Sequence, residues 1–251
     1  MRKATPEYMR QHYFLLPKTL FLCELNYMDI AVFVFLRHGE CRRFKPHWPA
    51  LKSVARGTKL CENSVRAAMR RLESAGLVEE QRTVFCGMDA TQCRGRYFFL
   101  PRQIIFLDLT SKELAIYAYL MYLEDRFTNQ CWPSYKTIGK NVGVRSTNTI
   151  RKFVRMLEWK NLIFTEQTFL FRPDGTVRNA NLRYTIRPII DALDFRHQRQ
   201  VHQLEASAEA QNAQRRVQAY LAQNPKTGLV TNFAGGEGEP DLRKKTRHGP
   251  P

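Results

Sequence analysis

An internal repeat constrains this chain more than any other feature. Residues 48–78 read WPALKSVARGTKLCENSVRAAMRRLESAGLV, and residues 132–163 read WPSYKTIGKNVGVRSTNTIRKFVRMLEWKNLI. Slid by 84 positions, Trp48-Pro49 falls on Trp132-Pro133, and Lys52 and Val54 fall on Lys136 and Ile138. One inserted residue then raises the offset to 85, so that Val65-Arg66, Leu72-Glu73 and Leu77-Val78 fall on Ile150-Arg151, Leu157-Glu158 and Leu162-Ile163. A period of this length means one supersecondary unit built twice. The chain reads as a tandem duplication, and its 251 residues as two small domains rather than one large one.

Each copy carries the same local signals. The phrase YFLLP (13–17) returns as YFFLP (97–101) and more loosely as YTIRP (184–188). Apolar β-formers ending at proline read as strands that stop where the backbone donor is lost. Residues 97–100 are therefore expected to close the first unit and lead into the second with little linker. Asn26 with Asp29, and Thr110 with Glu113, have helix-capping spacing ahead of the apolar runs at 30–34 and 114–118, which predicts a central buried helix in each copy. A short helix follows each Trp-Pro, with Leu51, Val54, Ala55 and Tyr135, Ile138, Gly139 inward. Breaks are expected at Gly57-Thr58 and Val142-Gly143.

The longest amphipathic stretch comes next. Val65, Ala68, Met69, Leu72 and Ile150, Phe153, Val154, Leu157 recur at i, i+3, i+4, i+7. Ser146 is a good N-cap for the second of these helices; Cys61, in the equivalent place of the first, caps less well. β-like segments then form a hairpin. In the first copy Val84-Phe85 leads through 87–89 to 94–98, and in the second Phe169-Leu170-Phe171 leads through Pro173-Asp174-Gly175 to Leu182-Arg183-Tyr184, with proline and glycine supplying the turn.

The formal charge of +17 is unevenly spread: +8 over residues 1–101, +7 over 102–187, zero over 188–223 and +2 beyond. The positive field belongs to the repeats and not to a basic tail, which points to a polyanion, nucleic acid first. The longest apolar run, residues 30–36, is far too short to span a bilayer, and no signal peptide is read at the N-terminus. Six cysteines without a CxxC pair suit a reducing cytoplasm.

Helix, short helix, turn, long helix, hairpin resembles the winged helix-turn-helix family. The phrase at residues 60–78, LCENSVRAAMRRLESAGLV, is similar to that family's recognition-helix phrase almost throughout. The second copy departs from it by one residue inserted between Val144 and Thr149, which leaves open whether Ser146, Thr147 or Asn148 leads into the groove. It also has Lys160-Asn161 where a small residue and glycine are expected. Trp-Pro before the short helix is similar to a subgroup of small mobile-element and phage replication proteins, and two winged helices in tandem resemble plasmid replication initiators. The resemblance covers about residues 14–187.

It implies an α+β chain, mainly α with small β-hairpin wings, with winged helix domains at 13–101 and 102–188; beyond them a composition rich in Gln, Ala, Glu and Arg predicts a C-terminal helix at 189–224, and the glycine- and charge-rich residues 225–251 read as a disordered tail. The resemblance also implies contact with double-stranded DNA. A helix N-terminus in the major groove presents side chains to base edges. Off the apolar stripe lie Asn63, Ser64, Arg66, Ala67 and Arg70 in the first copy, and Thr147, Asn148, Thr149, Arg151, Lys152 and Arg155 in the second. The hairpins offer Arg94 and Arg96, and Arg172, Arg178 and Arg183, to phosphates or a minor groove.

No catalytic constellation is read. His38, Cys41 and His47 lack a fourth metal ligand, no phosphate loop GxxxxGK[ST] occurs, and no cofactor is expected. In the C-terminal helix, Ile190, Leu193, His197, Leu204 and Ala208 make a thin stripe. A solvated helix packed on the second unit is preferred over a homodimerising coil. The functional expectation is replication initiation of a plasmid or integrative element, with host replication proteins as partners. A transcriptional regulator of the same fold and a protein–protein adaptor of a primosome or partition complex are the alternatives.

Overall fold

The computed structural model of the chain describes residues 12–40, 48–79, 82–83, 97–172 and 175–223. In chain order these form β1 (Tyr13–Pro17), a 3-10 turn (Lys18–Phe21), α1 (Tyr27–Glu40), α2 (Leu51–Thr58), α3 (Glu62–Ser74), β2 (Val78–Glu79), β3 (Arg82–Thr83) and β4 (Tyr97–Pro101). A second 3-10 turn (Arg102–Leu107) leads to α4 (Ser111–Leu123), β5 (Gln130–Cys131), α5 (Tyr135–Val142), α6 (Thr147–Trp159), β6 (Ile163–Glu166), β7 (Phe169–Phe171), β8 (Val177–Asn179), β9 (Arg183–Ile186) and α7 (Ile189–Gln223). The fold is mixed α and β, mostly helical with small sheets. The described residues up to Arg199 form one compact unit, and those from Gln200 to Gln223 a second.

Helices α1 and α4 start where the capping signals lie. Thr110 Oγ1 accepts from the Glu113 N–H at 3.4 Å, and the Glu113 carboxylate accepts from the Thr110 N–H at 2.7 Å, a complete capping box. Asn26 and Asp29 repeat it: the Asn26 N–H donates to Asp29 at 3.0 Å, and Asn26 Oδ1 accepts from the N–H groups of Met28 and Asp29. Both helices are buried nearly all round and pack on each other, and α2, α3 and α5, α6 pack around them. Val65, Ala68 and Leu72 of α3 and Ile150, Val154 and Leu157 of α6 are buried, with Met69 and Phe153 half-buried beside them. Ser146 caps α6 through the Thr149 N–H at 3.3 Å, whereas Cys61 makes no side-chain cap to α3.

Two turn expectations change. Helix α2 does not break at Gly57-Thr58; it runs through Thr58, and Lys59 takes the left-handed backbone at φ 56° that Gly143 takes at 67° after α5. Gly57 is small for another reason: a Cβ there would fall 1.9 Å from Phe35 Cε2, so the ring lies flush on the helix. Lys160-Asn161 in place of a glycine turn changes nothing in the backbone. Asn161 adopts φ 61° where Gly76 has 66°, and Leu162 and Leu77 each donate back to Leu157 and Leu72 at 3.0 Å. Asparagine enters this region at small cost.

The strands differ more. YFFLP does not pair with its own hairpin among the described residues; β4 lies antiparallel to β1, with Tyr13 opposite Pro101 and Leu15 opposite Phe99. In the second copy β9 pairs with β6 and β5. The hairpin expected to run from Phe169–Phe171 to residues 182–184 closes sooner, on β8, with Phe171 opposite Val177. Its turn keeps the expected glycine, Gly175 at φ 80°. The first hairpin beyond Thr83 lies outside the described residues, as does the tail at 225–251.

The C-terminal helix docks by part of the expected stripe and by residues outside it: Leu193 packs against the core, as does Ile189. Ala192 is buried, Phe195 meets Trp159 edge-on and the Arg199 guanidinium lies 3.9 Å over the Trp159 ring, while Ile190 and Leu204 are exposed. An aromatic–cation clasp outweighs a thin aliphatic stripe here. Residues 200–223 are exposed throughout.

One carboxylate carries a pH prediction. Burial raises Glu124, just after α4, to about 7, against the opposing pull of Arg126. A carboxyl whose folded pKa exceeds its unfolded value binds its proton more tightly when folded. Stability should therefore fall as pH rises from about 4.5 to about 7. Glu124→Gln should flatten that slope in denaturant melts across this range; an unchanged slope would place the effect elsewhere.

Candidate nucleic-acid interface

The two short-helix–turn–long-helix elements present their outward faces in parallel. On α3, Asn63, Arg66 and Arg70 are exposed and Ser64 and Ala67 half-buried. Arg66 reaches along its own helix to Asn63 Oδ1 at 3.2 Å and Glu62 at 3.5 Å, which extends the guanidinium along the exposed face without burying it. On α6, Thr147, Asn148, Arg151, Lys152 and Arg155 are exposed and Thr149 half-buried. At the offset of 85 the two faces coincide: Asn63 with Asn148, Ser64 with Thr149, Arg66 with Arg151 and Arg70 with Arg155. Ala67 against Lys152 and Glu62 against Thr147 are the differences.

Beside α6 a cleft of about 500 Å³ opens between the helix and the base of its hairpin, lined by Tyr135, Arg151, Arg155, Glu158, Thr165 and Asn181 among others. The Arg151 guanidinium stands 5.9 Å from the Tyr135 ring. Burial raises the Tyr135 phenol above its usual pKa more than Arg151 lowers it, so the hydroxyl stays a donor at neutral pH. Arg172 and Arg178, on the hairpin beyond, are exposed. An electropositive cleft with donors on two walls suits a phosphate backbone alongside a base-reading helix.

Not every expected arginine is free to reach a ligand. Arg183 donates twice to Glu166 across the β6–β9 pair, at 2.9 and 2.7 Å, and so serves the sheet. Arg71, on the charged face of α3, is held bidentate on the buried Asp29 of α1 at 2.7–3.0 Å, and this raises its pKa further. Sequence spacing cannot reveal an acid contributed by a remote element. Arg94 and Arg96 lie outside the described residues, as do Cys41 and His47. Among the described residues no cluster of three metal-ligating side chains occurs.

Several residues escape the sequence pattern. Lys136, Lys140 and Arg145 line a second groove of about 460 Å³ with Thr147, between α5 and the start of α6. Lys136 and Lys140 fall at the offset of 84 from Lys52 and Arg56, also exposed, and that recurrence is the signal that could have found them. Phe169, Leu170, Phe171 and Val177 make the hairpin apolar as well as basic, and all are exposed.

Two helices joined by a tight turn, the second presenting a basic outer face, define a helix-turn-helix module. Residues 107–163, which take in α4, α5 and α6, match a protein-family model described as a helix-turn-helix domain. Comparison with curated proteins and with solved structures finds no match. The family match supports binding to double-stranded DNA. Among the described residues no helix is long and apolar enough to cross a membrane.

Proposed function

We propose that the chain binds double-stranded DNA sequence-specifically through two winged helix-turn-helix units, with α3 and α6 as the reading helices. Its use is the initiation of replication of a plasmid or integrative element, with host replication proteins recruited to the bound origin. The observation that carries the reading is the matched outward set, Asn63/Asn148, Arg66/Arg151 and Arg70/Arg155, exposed on both long helices. Asparagine and arginine at the start of such a helix are the side chains that pair bidentately with adenine and guanine. A protein-docking use of the same helices would call for apolar or acidic outer faces; these are basic. The proposal needs no catalytic residue and no cofactor.

Arg66→Ala and Arg151→Ala should each weaken specific binding by about 1–3 kcal/mol with the thermal melt unchanged, since neither side chain is buried. Selection from a random duplex library, then a salt titration of the enriched sequence, supplies the assay; log Kd should rise steeply with log salt. The selected motif, placed on a plasmid lacking its own origin and expressed with the protein, separates the uses. Autonomous replication supports initiation, while repression of an adjacent promoter without replication assigns the chain to transcriptional control.

A further inference from the structure

The two halves of the compact unit touch each other reciprocally. At the offset of 84, Leu15 corresponds to Phe99, Tyr13 to Tyr97 and Pro17 to Pro101. In the β1–β4 pair Leu15 faces Phe99, its own counterpart, while Tyr13 faces Pro101 and Pro17 faces Tyr97. Only a local two-fold axis through the Leu15–Phe99 pair produces that register.

Interactions away from the strands obey the same axis. Lys59, after α2, donates to Asp108 O at 2.9 Å and pairs with the Asp108 carboxylate, just before α4, and Ser111, the first residue of α4, donates to Thr58 O. Gly143, the counterpart of Lys59, sits against Leu25 and Asn26, just before α1: a Cβ on Gly143 would fall 2.7 Å from Asn26 Cβ. Phe21 packs on Tyr119 and Tyr122 of α4 at 5.1 Å, and on the other side Phe106, one position past Ile105, the counterpart of Phe21, meets His38 of α1, the counterpart of Tyr122, at 6.3 Å. Between them α1 and α4 pack on each other. A surface that meets its own equivalent, residue i on j and j on i, is the signature of an isologous, two-fold interface.

We infer that the DNA read by one copy of this chain is a pair of inverted half-sites, one taken by α3 and the other by α6. This rests on the DNA-binding reading above. Two reading helices related by a two-fold axis meet one duplex with opposite polarity, because the duplex backbone has its own dyads and protein symmetry is mirrored in the site. A direct repeat would need the units related by translation along the duplex, which the reciprocal packing does not supply. Since Asn63/Asn148, Arg66/Arg151 and Arg70/Arg155 are identical, Ser64/Thr149 keeps a hydroxyl, and Glu62/Thr147 and Ala67/Lys152 differ, the site is an imperfect palindrome.

The full chain is used for duplex selection, first as wild type and then as the Glu62→Thr/Ala67→Lys variant, which leaves Ser64 against Thr149 as the one remaining difference among the six outward pairs compared above. Wild type should enrich two similar half-sites in inverted order, and the variant should make them more alike. Reversing one half-site should weaken binding at least about tenfold. Should the variant fold poorly, guanine-methylation interference on the wild-type site with Arg66→Ala and Arg151→Ala decides the point. Each variant should become indifferent to methylation of one guanine set, and the two sets should lie on opposite strands. Both sets on one strand, a direct repeat or a single half-site would overturn the inference. Failure of wild type to enrich any duplex sinks the DNA-binding reading itself, a distinct outcome.

Discussion

Leu72→Ala and Leu157→Ala should each destabilise the chain by about 2–5 kcal/mol, the range for removing an isopropyl group from a core that cannot fully collapse. Both side chains are fully buried. They occupy equivalent places, one on α3 and one on α6, where the long helix meets its central helix, and each caps its turn through the backbone bond from Leu77 or Leu162. Against a net stability of about 5–15 kcal/mol this is a large fraction, visible as a marked fall in the denaturant midpoint. Leu→Met at either site should cost less than about 1.5 kcal/mol, because volume is kept. The readouts also separate from those of the surface arginines: Arg66→Ala loses affinity at constant stability, whereas the leucine variants lose affinity only as far as they unfold. A wild-type midpoint for either alanine variant would mean that the apolar stripe of that helix faces solvent.

Those leucines were legible because they belong to a periodic pattern, and periodicity reports a face directly. Helix starts were legible for the same local reason, since Thr110 with Glu113 and Asn26 with Asp29 carry their capping chemistry within four residues. What could not be read was anything that depends on a distant partner. YFLLP and YFFLP announce strands, but strand-forming residues do not name the strand they pair with, so the β1–β4 ladder and the two-fold relation it implies came only with the structure. Lys59 in a left-handed turn was hidden for a related reason: its local cost is offset by Asp108, 49 positions away. The same limit explains the site. Asn63, Arg66, Arg70, Asn148, Arg151 and Arg155 follow from the helix pattern, while Arg183, expected on the hairpin for phosphates, is tied to Glu166 instead. A strand position does not reveal the carboxylate that lies across the sheet from it.

The second large effect concerns the buried acids beneath α3 and α6. Lys160→Ala should cost about 3–5 kcal/mol, because it strands a buried carboxylate. Glu113 is only 1% exposed, and Lys160 Nζ lies 2.9 and 3.0 Å from its two oxygens, with its own side chain 18% exposed. The Thr110 N–H and hydroxyl still serve Glu113 in the variant but supply no compensating charge. Adding Glu113→Gln should recover much of the loss, since a neutral amide carries no buried charge, and a double-mutant cycle at neutral pH measures the coupling. Asp29 is equally buried under Arg71, but that side chain is 42% exposed, so Arg71→Ala admits water more readily and should cost less than Lys160→Ala. A loss below about 1 kcal/mol for Lys160→Ala would reduce the pair to an ordinary surface bridge. The pairing matters beyond stability. Asp29 and Glu113 belong to α1 and α4, the helices that meet across the two-fold axis, and their cations come from the C-terminal ends of α3 and α6. Each long helix is thereby fastened to the central helix it packs on. Loosening either fastening should broaden the tolerated half-site spacing before it abolishes binding.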